Sequence, residues 1–276
     1  MSQTQSNSNS GVKHIIAVAS GKGGVGKSST AVNLALAMKA LGRNVGILDA
    51  DIYGPSIPSM LGVKEGVRPQ VSQGNRLVPL EAHGLQLMSM GVLTTDDTPM
   101  VWRGPMASGA LVQILEQTLW HELDVLVVDM PPGTGDIQLT LAQKAAVDGA
   151  VVVTTPQDIA LLDAVKGIEM FRKVSIPVFG LVENMAVHIC SNCGHSEHIF
   201  GAGGADRVAA KYQTTVLGSL PLDIHIREDL DDGIPTPVKN TDGEVAAAYR
   251  QIAEKVLQQL ESGEGLKGPE IVIEYQ

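Results

Sequence analysis

The sequence predicts an α/β fold, a doubly wound and mostly parallel sheet with helices on both faces. Three observations predict it. Short β-branched apolar runs alternate with helical stretches, the runs are apolar throughout instead of at every second residue, and a glycine-rich segment joins the first run to the first helix. Uninterrupted apolar runs suit parallel strands covered on both faces. Their alternation with helices calls for right-handed crossovers within one sheet.

In chain order, residues 1–10 form a Ser/Asn/Gln tail with no apolar anchor, expected to be disordered. Residues 11–276 are expected to be one domain, since no repeat and no long linker divides them. The first strand covers 14–19 and the first helix 26–41; the second strand is "VGILDA" over 45–50. "NRLVPLEAHGLQLMSMG" (75–91) reads as an inserted hairpin, followed by a helix at 105–120. Then come strand 124–129 ("DVLVVD"), helix 137–146, strand 149–154 ("GAVVVT") and helix 158–173. Strand 177–183 ("PVFGLVE"), helix 202–212, strand 215–220 ("TVLGSL") and helix 243–261 complete the pattern.

Composition excludes several classes. Of 276 residues, 44% are hydrophobic and 18% charged, which is globular and leaves material for a sizeable core. The net charge of -10 gives no electrostatic basis for a general grip on nucleic acid or anionic lipid. No apolar run approaches the roughly twenty residues that span a bilayer, and the polar start is unlike a signal peptide. A cytoplasmic protein without membrane or nucleic-acid partners is expected. Its two cysteines, spaced C-x-x-C, then point to metal or redox chemistry in preference to a structural disulfide.

The segment Gly21, Lys22, Gly23, Gly24, Val25, Gly26, Lys27, Ser28 satisfies G-x-x-x-x-G-K-[ST] between an apolar strand and an apolar helix. Such a loop turns successive N–H groups toward phosphate oxygens, and the following helix adds its positive dipole end. Lys27 is placed to reach the β- and γ-phosphates of ATP, and Ser28, followed by Ser29, to ligate Mg²⁺. A plain glycine-rich turn is the competing reading, and the context on both sides disfavours it. "VLVVDMPPGTGD" ends a very apolar strand in Asp129, suited to holding Mg²⁺ through water, and continues into a Pro/Gly loop able to switch with the γ-phosphate. Asp49 and Asp51 stand at the end of the second strand, where one of them could serve only to cap the next turn.

Cys190 and Cys193 lie on a loop before a helix. Two thiolates at this spacing converge on one tetrahedral metal, Zn²⁺ or an iron-sulfur cluster, yet four ligands are wanted. A twofold homodimer would supply four thiolates at its axis. One chain could instead hold zinc with Cys190, Cys193 and two of His188, His195 and His198. A thioredoxin-like redox pair is weaker, because C-x-x-C there opens a helix early in a βαβ unit.

Together, "GKGGVGKSST", "DADIYGPSIP", "WRGPMASGALVQ", "DMPPGTGDIQLTLAQ", "TTPQDIALLDAVKGIEMF", "VENM", "CSNCGH" and "GSLPLD" resemble the Mrp/ApbC group of iron-sulfur cluster carrier ATPases over about residues 11–262. These belong to the deviant, SIMIBI-type P-loop NTPases, with MinD, ParA, ArsA and nitrogenase iron protein. The resemblance implies that Lys22 reaches the nucleotide of a facing subunit in an ATP-sandwich homodimer. It further implies that Asp51 orients the attacking water, that Asp49 serves the Mg²⁺ hydration shell, and that Asn184 and the Pro221 loop contact adenine. A transiently held [4Fe-4S] cluster, its exchange with a cluster-assembly scaffold and apo iron-sulfur proteins, and slow ATP hydrolysis are implied as well. Many relatives carry a small N-terminal domain, and some a four-cysteine site there; the short tail is expected to hold neither. The loop reads Cys-Ser-Asn-Cys where relatives often read Cys-Pro-His-Cys.

Two other classes stand against this reading. A MinD/ParA-type positioning ATPase needs a basic terminal helix or surface, whereas the last helix sets Glu244, Glu254, Glu261 and Glu264 against Arg250 and Lys255. A zinc-stabilised nucleotide-binding module would bind ATP without turnover.

Overall fold

A computed structural model describes residues 11–52, 54–72, 74–93, 104–190 and 192–262. The expected N-terminal tail, Tyr53, the start of "WRGPMASGALVQ" and Ser191 lie outside the described residues.

The apolar runs become strands β1 (Val12–Ala19), β2 (Val45–Asp49), β7 (Leu123–Asp129), β8 (Gly149–Thr154), β9 (Val178–Ile189) and β11 (Val216–Pro221). Between β2 and β7 lie four short strands, β3 (Val71–Ser72), β4 (Arg76–Leu77), β5 (Leu80–Ala82) and β6 (Leu85–Ser89); β10 (Ser196–Glu197) follows β9. The helices are α1 (Lys27–Ala40), α2 (Ile57–Met60), α3 (Gly104–Gln117), α4 (Asp136–Lys144), α5 (Asp158–Lys173), α6 (Gly204–Lys211), α7 (Ile224–Asp231), α8 (Thr236–Lys239) and α9 (Glu244–Ser262).

Among the described residues one sheet runs β10-β9-β8-β1-β7-β2-β6-β5, with β11 also paired to β9. The pairs from β11 through β6 are parallel, and β5 and β10 are antiparallel at their respective ends. The sheet is therefore mostly parallel, as its unbroken apolar strands require.

Successive side chains of β1 feed two cores. Ile15, Ala17 and Ala19 join α3, α4, α5 and α6 on one face, while Ile16 and Val18 join α1 and α9 on the other. Burial on both faces of a central strand explains why β1 shows no polar alternation. It also fixes the strand ends, with every parallel strand delivering its carboxyl terminus to one edge of the sheet.

Residues 75–91 depart from a simple insertion. β5 and β6 do form a hairpin, but β6 enters the main sheet parallel to β2, pairing Gly46 with Gln86 and Asp49 with Ser89. Leu85, Leu87 and Met88 are fully buried there. Sequence reading also passed over α7, whose start is nevertheless signalled by Asp223, a cap accepting from the His225 N–H.

Candidate functional site

The turn from β1 into α1 carries the glycine-rich loop. Gly24 and Gly26 sit at φ +82° and +81°, in the left-handed region that favours glycine. Gly26 has a second constraint, since a Cβ there would lie 2.2 Å from Nδ2 of Asn184. Gly26 is also the cap of α1, with no side chain bonding the first turn and no acidic residue within it. The helix thus presents open N–H groups and an uncompensated positive end beside the loop, which suits a bound anion.

Lys27 and Ser28 turn inward. The ammonium of Lys27 donates to Asp129 Oδ1 at 2.5 Å, and Ser28 Oγ donates to Asp129 Oδ2 at 2.6 Å. Ser29 is half-buried in the same first turn. Lys22 is also half-buried and forms no ion pair among the described residues; its carbonyl accepts from Ser20 Oγ.

Asp49 and Asp129 occupy paired positions on β2 and β7, so register alone brings two carboxylates side by side at the strand ends. Both are fully buried. Burial first, and the Asp129 charge second, push the Asp49 carboxyl up to about 7. Burial likewise raises Asp129, opposed by the Lys27 ammonium bonded to it. Two buried carboxylates share one buried cation, an arrangement that calls for further positive charge.

Asp49 also performs the capping that a strand-end Asp can do. Its Oδ1 accepts from the Asp51 N–H, and its Oδ2 from the Ile57 N–H at the start of α2 and from Ser89 Oγ. Asp51 is half-buried in the same turn, near enough for its charge to help raise Asp129. Nothing in the sequence of residues 75–91 marked Ser89; only the entry of β6 into the sheet brings it here.

The loop after Asp129 is held from both ends. The Gly133 N–H donates to the Ser20 carbonyl at 3.0 Å, and Gln138 Nε2 reaches back from α4 to the Pro132 carbonyl at 2.6 Å. Gln138 belongs to the stretch "DMPPGTGDIQLTLAQ", and α4 turns it back onto the preceding loop.

Asn184 projects from β9 and donates through Nδ2 to the Val25 carbonyl at 2.9 Å, tying this strand to the phosphate loop. Pro221 ends β11, half-buried, in register with Val187 on β9. The structure brings Lys27, Ser28, Asp49, Asp129 and Asn184 together around the loop. The cysteines form a separate cluster.

Cys190 follows directly on β9 and is half-buried, whereas Cys193 is exposed. The backbone N–H groups of Asn192 and Cys193, then the Cys193 side chain, hydrogen-bond the Cys190 sulfur and hold its thiol below the ordinary range. Two backbone bonds close the turn, from the Cys190 N–H to the His195 carbonyl and from the Gly194 N–H to the Cys190 carbonyl. Amides aimed at a sulfur favour thiolate, the form that ligates metal. His188 and His198 face the Leu222 and Ala186 carbonyls through Nδ1. Among the described residues no group of three or more His, Cys, Asp or Glu side chains forms a metal site. The one-chain set of two cysteines and two histidines is therefore not assembled there.

A phosphate loop backed by paired carboxylates on a sheet of this order is matched over residues 11–257 by the family model described as ParA: NUBPL iron-transfer P-loop NTPase. The chain belongs to that family. It is 66% identical to an iron-sulfur cluster carrier protein of Escherichia coli K12 over 250 residues, 91% of this chain and 68% of that one. A nucleotide-binding protein from Archaeoglobus fulgidus, solved in complex with ADP and with Co found, is 37% identical with a TM-score of 0.74; the match covers 86% of this chain and 92% of that one. The cell division ATPase MinD of Pyrococcus furiosus shares the fold at 23% identity and a TM-score of 0.67, over 89% of this chain and 98% of that one. Among the described residues no helix is long and apolar enough to cross a membrane.

Proposed function

We propose that this chain is an ATP-dependent iron-sulfur cluster carrier, which holds a [4Fe-4S] cluster between two copies of itself and passes it to apo-proteins. The observation that carries this reading is the cysteine hairpin. Backbone amides bond the Cys190 sulfur, Cys193 stands beside it, and the pair gathers no third ligand side chain among the described residues, so a second copy is the economical source of the other pair. High identity to proteins named as cluster carriers supports it.

The loop fits nucleotide. Gly24 and Gly26 hold the left-handed backbone that curls the loop, the space beside Gly23 and Gly24 is open, and the uncapped start of α1 would meet the phosphates. Lys27 would exchange Asp129 for the β- and γ-phosphates, and Lys22 would reach the nucleotide of the facing copy. The residues also fit Mg²⁺: Ser28 and Asp129 would hold it, with Asp49 serving its hydration shell. When bound, that cation would neutralise charge developing on the phosphates. Asp51, beside Asp49, would orient the water that attacks the γ-phosphate, while Asn184 and the Pro221 loop would face adenine. Gln138 would hold the Pro132 loop in its resting shape until the nucleotide changes it.

Anaerobic reconstitution with iron and sulfide, followed by metal analysis and solution mass, tests the reading. The expected product is a dimer with about four iron and four sulfide per pair of chains. A lone chain carrying its full metal complement, or zinc bound one per chain without sulfide, would overturn it.

A further inference from the structure

Strand β9 is interrupted between its nucleotide end and its cysteine end. Along β9, Glu183 pairs with Ser219 and Val187 with Pro221, so four steps on β9 oppose two on β11. The surplus makes a bulge at residues 184–186. Met185 at its centre has φ +57°, the left-handed region that a non-glycine residue occupies only when its surroundings impose it.

The surroundings are tethers on either side. Asn184 donates to the Val25 carbonyl of the phosphate loop at 2.9 Å. The Ala186 carbonyl accepts from Nδ1 of His198 at 2.7 Å, and His198 lies on the returning arm of the cysteine hairpin just past β10. Three consecutive residues thus join the loop that would hold phosphate to the hairpin that carries both thiols, with the strained residue in the middle. Cys190 is only five residues beyond Met185 on the same strand and turn.

We propose that this bulge is the link through which nucleotide at the phosphate loop is read at the cysteine hairpin, with Met185 and His198 as positioning residues. It rests on the proposed function in taking the glycine-rich loop as the nucleotide site and the hairpin as the metal-binding element. Phosphate bound by the loop would fix the Val25 carbonyl, steady Asn184 and hold Met185 left-handed, so that the hairpin stays closed on the Ala186 carbonyl. Without nucleotide the tethered arrangement seen here has only these two hydrogen bonds to hold it, so Met185 exchanges with an extended backbone and the hairpin opens part of the time. A two-state element biased from both ends is what coupling between distant sites requires.

The test uses the full chain without metal. Alkylation of Cys190 and Cys193 by iodoacetamide is followed by mass spectrometry with and without saturating Mg-ADP, at a concentration where scattering shows the same oligomeric state in both. Cys193, exposed in the closed hairpin, serves as the reference, and at half-buried Cys190 Mg-ADP is expected to slow alkylation of the wild type about fivefold or more. Met185→Gly, which tolerates either backbone state, and His198→Ala, which cuts the hairpin tether, are expected to bring the ratio within about twofold of one while Mg-ADP binding stays within about threefold. Met185→Ala removes the side chain but keeps an L-residue at that φ, and should retain the wild-type response. A wild-type ratio of one, or full slowing in both Met185→Gly and His198→Ala, overturns the link. Because the assay contains no iron, failure of cluster reconstitution leaves this result standing, and a negative result here leaves the carrier reading standing.

Discussion

Asp49 stores a pH dependence in the nucleotide-free protein. Its native carboxyl titrates near 7 against 3.8 for the unperturbed group, so between those values the folded state binds more protons than the unfolded chain. Stability therefore falls as pH rises through this window, by about 4 kcal/mol at most for this group alone. Asp49→Asn cannot titrate, so chemical denaturation from pH 5 to 8 should show the wild type losing stability relative to the variant. A constant difference across that range would mean that Asp49 is already ionised at pH 5. Lys27 makes the complementary case. Removing it in Lys27→Ala leaves Asp129 buried without its cation, so destabilisation by about 3 kcal/mol is expected in addition to lost nucleotide binding. Adding Asp129→Asn should restore most of the stability and none of the binding, a separation readable from melting curves beside a nucleotide titration.

At the level of elements, the turn from β1 to α1 and the turn from β7 to α4 were legible because each pairs a strand with punctuation that has a backbone reason. Gly26 illustrates it. Its φ of +81° and the proximity of Asn184 both exclude a side chain, so Gly26→Ala should destabilise the fold by about 2 kcal/mol and abolish nucleotide binding. What was not legible depends on register and return. Ser89 reaches Asp49 only because β6 lies beside β2, and His198 reaches Ala186 only because the hairpin folds back. Residues 75–91 read as an insertion because Glu81, His83 and Gln86 interrupt the apolar run, although every residue of β6 except Gln86 is buried. Gln138 sits between these cases, inside a recognised motif yet with a partner chosen by helix geometry. Gln138→Ala removes the hydrogen bonds to the Pro131 and Pro132 carbonyls, together worth about 1 kcal/mol, so limited proteolysis of residues 130–136 should accelerate about fivefold without nucleotide. Unchanged cleavage would show that the Gly133 bond to Ser20 suffices.

At the level of the whole molecule, parallel strands covered by helices made the architecture readable, because the apolar runs needed cover and every turn after a parallel strand had to reach the same edge. That edge bears both the phosphate loop and the cysteine hairpin, yet whether its second thiol pair comes from another copy is a question of stoichiometry. Mixed dimers answer it. Cys193→Ser is nearly isosteric and leaves net charge unchanged, so wild-type and variant chains mixed equally before reconstitution should pair at random. If four thiolates from two chains are required, only pairs of wild-type chains load, and the mixture should hold about one quarter of the iron of pure wild type. A site complete within one chain would yield about one half, because each wild-type chain loads regardless of its neighbour. A cluster content with three thiolates gives a third result, about three quarters, because mixed pairs then load as well. Iron and sulfide should scale together in every case, since zinc or loosely held iron would break that proportion. Varying the mixing ratio sharpens the distinction: the shared site follows the square of the wild-type fraction, whereas the one-chain site follows it linearly, and a linear response would remove the intersubunit cluster from this reading while leaving the nucleotide site intact.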